Sequence, residues 1–288
     1  MKSMTDGYTF NNGNKIPCIG YGTWKTPDGE VAREVVKQAI LAGYRHIDTA
    51  AIYKNEVSVG QGIADGLALT GLKREDLFVT SKIWSDKKGY ENAKSEIDAC
   101  LKRLNMDYLD LFLIHWPIGK DEQADDRWRE LNNETWRAME EAQAAGKIRN
   151  LGLSNFLPHH IEALECKVKP VSDQLEFHPG CLQEDAVAYC MEHGMVVQAW
   201  SPLGSGRVLQ DPELNVIAAK YDKCVAQLLV RFCLQYGVNP LPKSLNADRI
   251  RLNTQVFDFE ISKEDFEAIR QMHQFGRFGH HPDEELAF

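Results

Sequence analysis

The chain has 288 residues, 43% hydrophobic and 26% charged, with 42 Asp and Glu against 33 Lys and Arg and a formal charge of −9. This composition excludes a disordered chain, a collagen and a disulfide scaffold, and leaves an ordinary globular protein. The acid excess argues against nucleic-acid and anionic-membrane partners, because neutralising phosphates along a polymer takes a broad surplus of Lys and Arg; a small phosphorylated ligand needs only a few local cations.

The seven cysteines are odd in number and form no C-x-x-C, so reduced, buried thiols are expected, with no Cys-rich metal site. The first eight residues hold no apolar signal core, and no apolar run approaches the roughly 18 residues of a membrane span, so a cytoplasmic location is the default expectation.

In chain order, Asn12-Gly13 between apolar runs predicts a β-hairpin over 8–16. Short β-branched runs then alternate with amphipathic stretches. Strands are predicted at 17–22, 44–48, 77–82, 109–115, 148–153, 171–174, 195–200 and 238–242, and helices at 31–42, 57–69, 92–104, 133–145 and 183–193. Gly43 and Gly194 stand just past helix ends, and Ser262 before Lys263-Glu264-Asp265 reads as a helix N-cap. Eight βα units with short connections and no linker predict a single α/β domain over 1–288, a (β/α)8 barrel with an N-terminal hairpin, extra helices and a C-terminal tail.

A barrel of this kind builds its active site at the C-terminal ends of its strands. Those ends are polar here: Asp48, Lys82, His115, Ser154-Asn155, Gln174, Trp200-Ser201 and Lys243-Ser244. Asp48, Tyr53, Lys82 and His115 make chemical sense together. A phenol has an ordinary pKa near 10; an adjacent ammonium stabilises the phenolate, and an aspartate holds the ammonium in place, so Tyr53 becomes a plausible general acid. An imidazole facing the same point orients or polarises a carbonyl oxygen. No Ser or Cys with a base partner is evident, so a hydride from a bound cofactor is the natural nucleophile.

Singly, each residue has a blander reading. Lys82 could be the Schiff-base lysine of an aldolase on the same fold, and Asp48 a helix cap. His46 and His115 could be core histidines, and Trp24, Trp84 and Trp116 core aromatics. The His159-His160 and His280-His281 pairs read as surface loops with no carboxylate at metal spacing. Gly60-x-Gly62-x-x-x-Gly66 is one residue too long for a dinucleotide fingerprint and follows a helix start, so close helix packing explains it better. The cationic cluster suited to a phosphate is Lys243-Ser244 with Arg249 and Arg251, beside a helix start whose N–H groups also favour anions.

The stretch from Gly43 through His46-Ile47-Asp48 and Tyr53 to Gly60 closely resembles the aldo-keto reductase signature. So do Lys147–Phe156, Leu241-Pro242-Lys243-Ser244 and Leu113-Ile114-His115-Trp116-Pro117, in order and at family spacing. The resemblance implies a TIM barrel and an NADPH-dependent reductase of aldehydes, ketones or dicarbonyls, similar to the diketogluconate- and methylglyoxal-reductase branch and most often monomeric. It implies Tyr53 as proton donor, Lys82 as its pKa-lowering partner, Asp48 as the anchor of Lys82 and His115 as the group orienting the carbonyl.

For NADPH, the resemblance implies contacts from Gly22, Thr23 and Trp24, from Ser154, Asn155 and Gln174 on the carboxamide, and from Trp200 stacked on the nicotinamide. Ser201 is implied as a further cofactor contact, Leu203, Ser205 and Gly206 lie in the loop over the pyrophosphate, Lys243, Ser244 and Arg249 at the 2′-phosphate, and Asn253 at the adenine. Leu252 departs from the Glu many relatives carry. Trp24, Trp84 and Trp116 are implied as substrate-pocket walls, with the tail from Phe275 to Phe288 partly closing the mouth. A catalytically weak, cofactor-binding regulatory subunit is the non-enzymatic alternative, as in channel β-subunits that resemble this family.

Overall fold

The computed structural model describes residues 1–122 and 126–284. Strands β1 (Gly7–Thr9) and β2 (Lys15–Pro17) pair antiparallel as the predicted hairpin, and Gly13 takes a left-handed φ of 87° at its tip. The barrel follows with β3 (Tyr21–Gly22), α1 (Glu30–Leu41), β4 (His46–Asp48), α2 (Glu56–Thr70), β5 (Phe78–Ile83), α3 (Tyr90–Leu104), β6 (Leu111–Ile114) and α4 (Arg127–Ala144). Its second half comprises β7 (Leu151–Ser154), α5 (Pro158–Glu162), β8 (Ser172–Glu176), α6 (Glu184–Glu192), β9 (Val196–Trp200), α7 (Pro212–Ala219), α8 (Val225–Tyr236), β10 (Asn239–Pro240), α9 (Ala247–Leu252) and α10 (Lys263–Arg270).

Strands β3 to β10 form one parallel sheet in chain order, and Gly20 N–H to Pro240 O (3.0 Å) and Gly22 N–H to Pro242 O (3.2 Å) join its two edges into the predicted barrel. Two boundaries differ from expectation by more than three residues. The first strand is shorter than 17–22 because Pro17 is used by the hairpin, and α4 begins at Arg127 rather than 133. Charged residues over 127–130 mask the periodicity there, although Trp128, Asn132 and Trp136 are all buried on one face.

The hairpin covers the N-terminal end of the barrel, where Phe10 and Ile16 pack with Phe78, Leu111, Leu113, Val171 and Val196. That end is a sealed hydrophobic plug, so only the opposite end is open to a ligand. The glycines of α2 serve packing: a Cβ on Gly62 would stand 2.4 Å from Arg33 O on α1, and one on Gly60 2.3 Å from Leu104 O on α3. Ser262 caps α10 by accepting the Asp265 N–H. No described helix is long and apolar enough to cross a membrane.

One buried group works against the fold. Asp173 in β8 is fully buried, and neither carboxylate oxygen reaches a well-formed hydrogen bond. Burial therefore pushes its pKa well above the usual carboxylate value, more than the nearby Phe156 and Gln174 N–H groups offset, and the folded chain holds a proton there. Below about pH 4 both folded and unfolded chains carry that proton; above it only the folded chain does, so stability falls with rising pH by about 1.4 kcal/mol per unit until the folded group ionises. Asp173→Asn removes this titration. Its expected gain in Tm is absent near pH 3.5 and grows as the pH rises in calorimetric scans; equal pH profiles for the two proteins would contradict the assignment.

Candidate active site

The open end of the barrel gathers the polar strand ends. Asp48 closes β4, Lys82 is the penultimate residue of β5, His115 follows β6, Ser154 closes β7, Gln174 is central in β8 and Trp200 closes β9. Tyr53 comes from a single 3-10 turn, Ala51–Tyr53, just beyond β4. The left-handed Lys54 ends that turn, and Asn55 ties it down: its Nδ2 donates to Thr23 O (3.1 Å) and Thr26 O (3.0 Å).

Lys82 Nζ has no solvent exposure and spends its three protons on Asp48 Oδ1 (2.7 Å), Thr49 O (2.9 Å) and Tyr53 Oη (3.2 Å). The other Asp48 oxygen accepts from Gln174 Nε2 at 2.8 Å, across the barrel. Burial pulls the Lys82 ammonium down, but Asp48 and Tyr53 outweigh it and hold its pKa above the ordinary lysine value, so it is charged.

For Tyr53 the balance differs from the sequence expectation. Burial raises the phenol's pKa by more than Lys82 lowers it, so in this state Tyr53 is a firmly protonated donor. The His115 ring meets Tyr53 edge-on at 5.7 Å and Trp84 edge-on at 5.0 Å. Burial first, and then the Lys82 charge, push its pKa well below 6.5, so the imidazole is neutral. The site thus holds one cation beside two neutral proton carriers.

Asn155, at a left-handed φ of 65°, links the opposite wall: its Nδ2 donates to His115 O (3.0 Å) and its Oδ1 accepts the Trp200 indole N–H (2.8 Å). Ser154 Oγ–H donates to Gln174 O (2.9 Å). Trp84 and Trp116, with Ile52 and Trp200, make a small apolar cluster beside His115, whereas Trp24 is 44% exposed with Lys25 over its ring. Gly22 and Thr23 sit against Asp48, Gly22 by strand pairing and Thr23 through N–H and Oγ–H bonds to Asp48 O.

Beyond β9, Ser201 and Ser205 share a hydroxyl contact (3.1 Å) and Leu203 leads into the turn Gly204–Gly206. Lys243 follows β10, half-buried, with Nζ against Lys25 O; Ser244 is half-buried, Asn253 buried, and Arg249 and Leu252 exposed. Among the described residues no ion pair engages Lys25, Lys243 or Arg249, and burial together with Lys25 lowers the Lys243 pKa. Lys25 and Lys243, close together and outside any ion pair among the described residues, fit a phosphate ligand. Helix α9 has six residues, and Asn246 already accepts its Arg249 N–H.

Two features were missed. His159-His160 does meet a carboxylate, because the tail brings Asp283 Oδ1 to 2.8 Å from His159 Nε2 and 3.2 Å from His160 Nε2. His160 Nδ1 accepts the Leu157 N–H, which leaves the proton of the neutral ring on Nε2. The second is Glu176, buried at the end of β8 and bonded to the tail. Neither is signalled by local spacing. The part of the tail expectation over 285–288 lies outside the described residues.

Comparison with known proteins fits this geometry. Residues 18–274 match the Aldo/keto reductase family. The chain belongs to that family. It is accordingly an oxidoreductase of the NADP(H)-dependent kind. The reductase is 45% identical over 286 residues to a glyoxal reductase of Bacillus subtilis, covering 99% of each chain. It is 39% identical to a 9,11-endoperoxide prostaglandin H2 reductase of Trypanosoma cruzi, over 96% of this chain and 94% of that one. Among solved structures, an aldo-keto reductase of Bombyx mori in complex with NADP superposes with a TM-score of 0.86 at 38% identity, covering 96% and 95% of the two chains.

A buried ion pair is costly to break from one side. Lys82→Met strands the Asp48 carboxylate and should cost about 3–5 kcal/mol of stability, while the Lys82→Met/Asp48→Asn double variant should recover a large part of it. Urea unfolding of the three proteins checks this, and equal stability of the two variants would contradict it.

Proposed function

We propose that this reductase converts small aldehydes and dicarbonyls to alcohols with NADPH, using Tyr53 as general acid. The observation that carries the reading is the Asp48–Lys82–Tyr53 chain, with hydrogen bonds of 2.7 and 3.2 Å converging beside a neutral His115. Bound NADPH supplies the hydride that reaches the carbonyl carbon. Tyr53 Oη–H gives its proton to the carbonyl oxygen, and the adjacent Lys82 ammonium stabilises the phenolate left behind. Asp48 keeps that ammonium charged and in place. The neutral His115 ring offers an N–H to the same oxygen and does not compete with Lys82 for positive charge.

The fit to the cofactor rests on Gly22, Thr23, Trp24, Ser154, Asn155, Gln174 and Trp200 around the catalytic end. Ser201, Leu203, Ser205 and Gly206 would hold the diphosphate, and Asn253 the adenine. Lys243, Ser244 and Arg249, with Lys25 unpaired nearby, favour the extra phosphate that distinguishes NADPH from NADH.

The apolar wall of Ile52, Trp84, Trp116 and Trp200 excludes water and suits an uncharged dicarbonyl such as methylglyoxal better than the carboxylate of a diketogluconate. The similarity to a glyoxal reductase supports the same class. A Schiff-base aldolase needs a neutral lysine, and the charged Lys82 does not supply one.

Purified protein should oxidise NADPH with methylglyoxal, and Tyr53→Phe should lose at least about a hundredfold in kcat while still binding NADPH, followed by cofactor fluorescence. Full turnover by that variant would refute the acid assignment; tight NADPH binding with no turnover on a carbonyl panel would instead identify a regulatory subunit. Lys243→Ala and Arg249→Ala should each raise KM for NADPH about tenfold and leave KM for NADH unchanged. An equal effect on both cofactors would contradict the phosphate assignment.

A further inference from the structure

The proposed reaction does not use one fully buried carboxylate at the same end of the barrel. Glu176 closes β8, and a charge so placed needs donors on every side. It finds them largely in the C-terminal tail. Oε1 accepts the Phe278 N–H at 2.8 Å, Oε2 accepts the Gly279 N–H at 3.1 Å, and Arg277 Nη1 stands 3.7 Å from Oε2. The fourth neighbour is His178 Nε2, 3.0 Å from Oε1, and the His178 ring lies flat on Phe278 with centroids 4.7 Å apart. Burial alone would raise the carboxyl pKa; His178 and the two tail N–H groups outweigh it and hold it below the ordinary value.

These bonds determine where the tail meets the pocket. Gly279 lies so close to Trp200 that an added Cβ would stand 2.5 Å from the indole Cη2, and Trp200 is itself held by Asn155. The next residue, His280, meets the Trp116 ring edge-on at 6.4 Å. Arg277 Nη2 donates to Gln183 Oε1 (2.7 Å), and Asp283 reaches His159. Two consecutive backbone bonds to one side chain therefore place a glycine on one pocket aromatic and a histidine on another.

We propose that Glu176 is a positioning residue for substrate selection: through the N–H groups of Phe278 and Gly279 it sets the height of the tail above Trp116 and Trp200, and so the size of carbonyl the pocket admits. The proposal rests on the carbonyl-reduction reading. A glutamine at 176 keeps the volume but turns an N–H2 group toward the Gly279 N–H, so the 3.1 Å bond to Oε2 is lost and only the Oε1 contacts at 2.8 and 3.3 Å can remain.

Glu176→Gln should leave kcat and KM for methylglyoxal within about twofold and raise kcat/KM for a bulky aromatic aldehyde, relative to methylglyoxal, about fivefold. A chain ending at Gln274 should show the same change in preference, and adding Glu176→Gln to it should change nothing further. An equal loss on every carbonyl, or an undiminished effect of the substitution in the shortened chain, would overturn the proposal.

A readout independent of turnover guards against misfolding of the shortened chain. Trypsin cleavage after Arg277 in the full-length protein should be at least about tenfold faster with Glu176→Gln while cleavage elsewhere is unchanged; an unchanged rate at Arg277 also overturns the proposal. If the wild-type protein reduced no carbonyl, the functional reading would fall, and the cleavage comparison would still judge whether Glu176 holds the tail.

Discussion

An ammonium and a carboxylate sealed inside a barrel constrain everything around them. The Lys82–Asp48 pair has almost no solvent contact, and removing two charges from water is repaid only when every remaining lone pair and proton is met. Here Thr49 O and Tyr53 Oη take the spare protons of Lys82, and Gln174 Nε2 takes the second oxygen of Asp48. Those partners come from β4, β5, β8 and the turn after β4. The pair therefore fixes the relative positions of strands on opposite sides of the barrel, and Tyr53 is placed because Lys82 has a third proton to give.

The same charge separates the roles of its neighbours. A cation next to a buried imidazole makes a second cation costly, so His115 stays neutral, while burial keeps Tyr53 protonated despite the ammonium. Two proton carriers of different kinds thus face one point with only one fixed charge between them. Such separation of titratable groups by environment lets neighbouring side chains hold different charge states at the same pH. Asn155 extends the arrangement by tying the His115 main chain to the Trp200 indole.

Much of this was legible in the order of residues. A strand buried on both faces announces itself as an apolar run, and a polar residue ending such a run marks the open end of the barrel, which is how Asp48, Lys82, His115 and Gln174 stood out. The illegible parts depend on contacts between distant segments. Gln174 meets Asp48 across 126 positions and Phe278 meets Glu176 across 102, and no local periodicity encodes either. The carboxylate facing His159 and His160 was invisible for the same reason, since Asp283 arrives from the tail. The direction of the Tyr53 shift was misjudged because sequence shows which charges are present but not how deeply a phenol is buried.

The two kinds of contact differ in consequence as well as in legibility. Asp48 and Lys82 sit in strands whose main-chain bonds belong to the barrel ladder, so altering that backbone disturbs the fold. The tail hangs on side chains: Glu176, Gln183, His159 and the stack on His178. Each such attachment can change without unpicking a strand, and each moves the surface that a substrate's far end would meet. A barrel built this way holds its buried charge network rigid and leaves the shape of its mouth to a few replaceable bonds, the division expected where variable segments are mounted on a fixed scaffold.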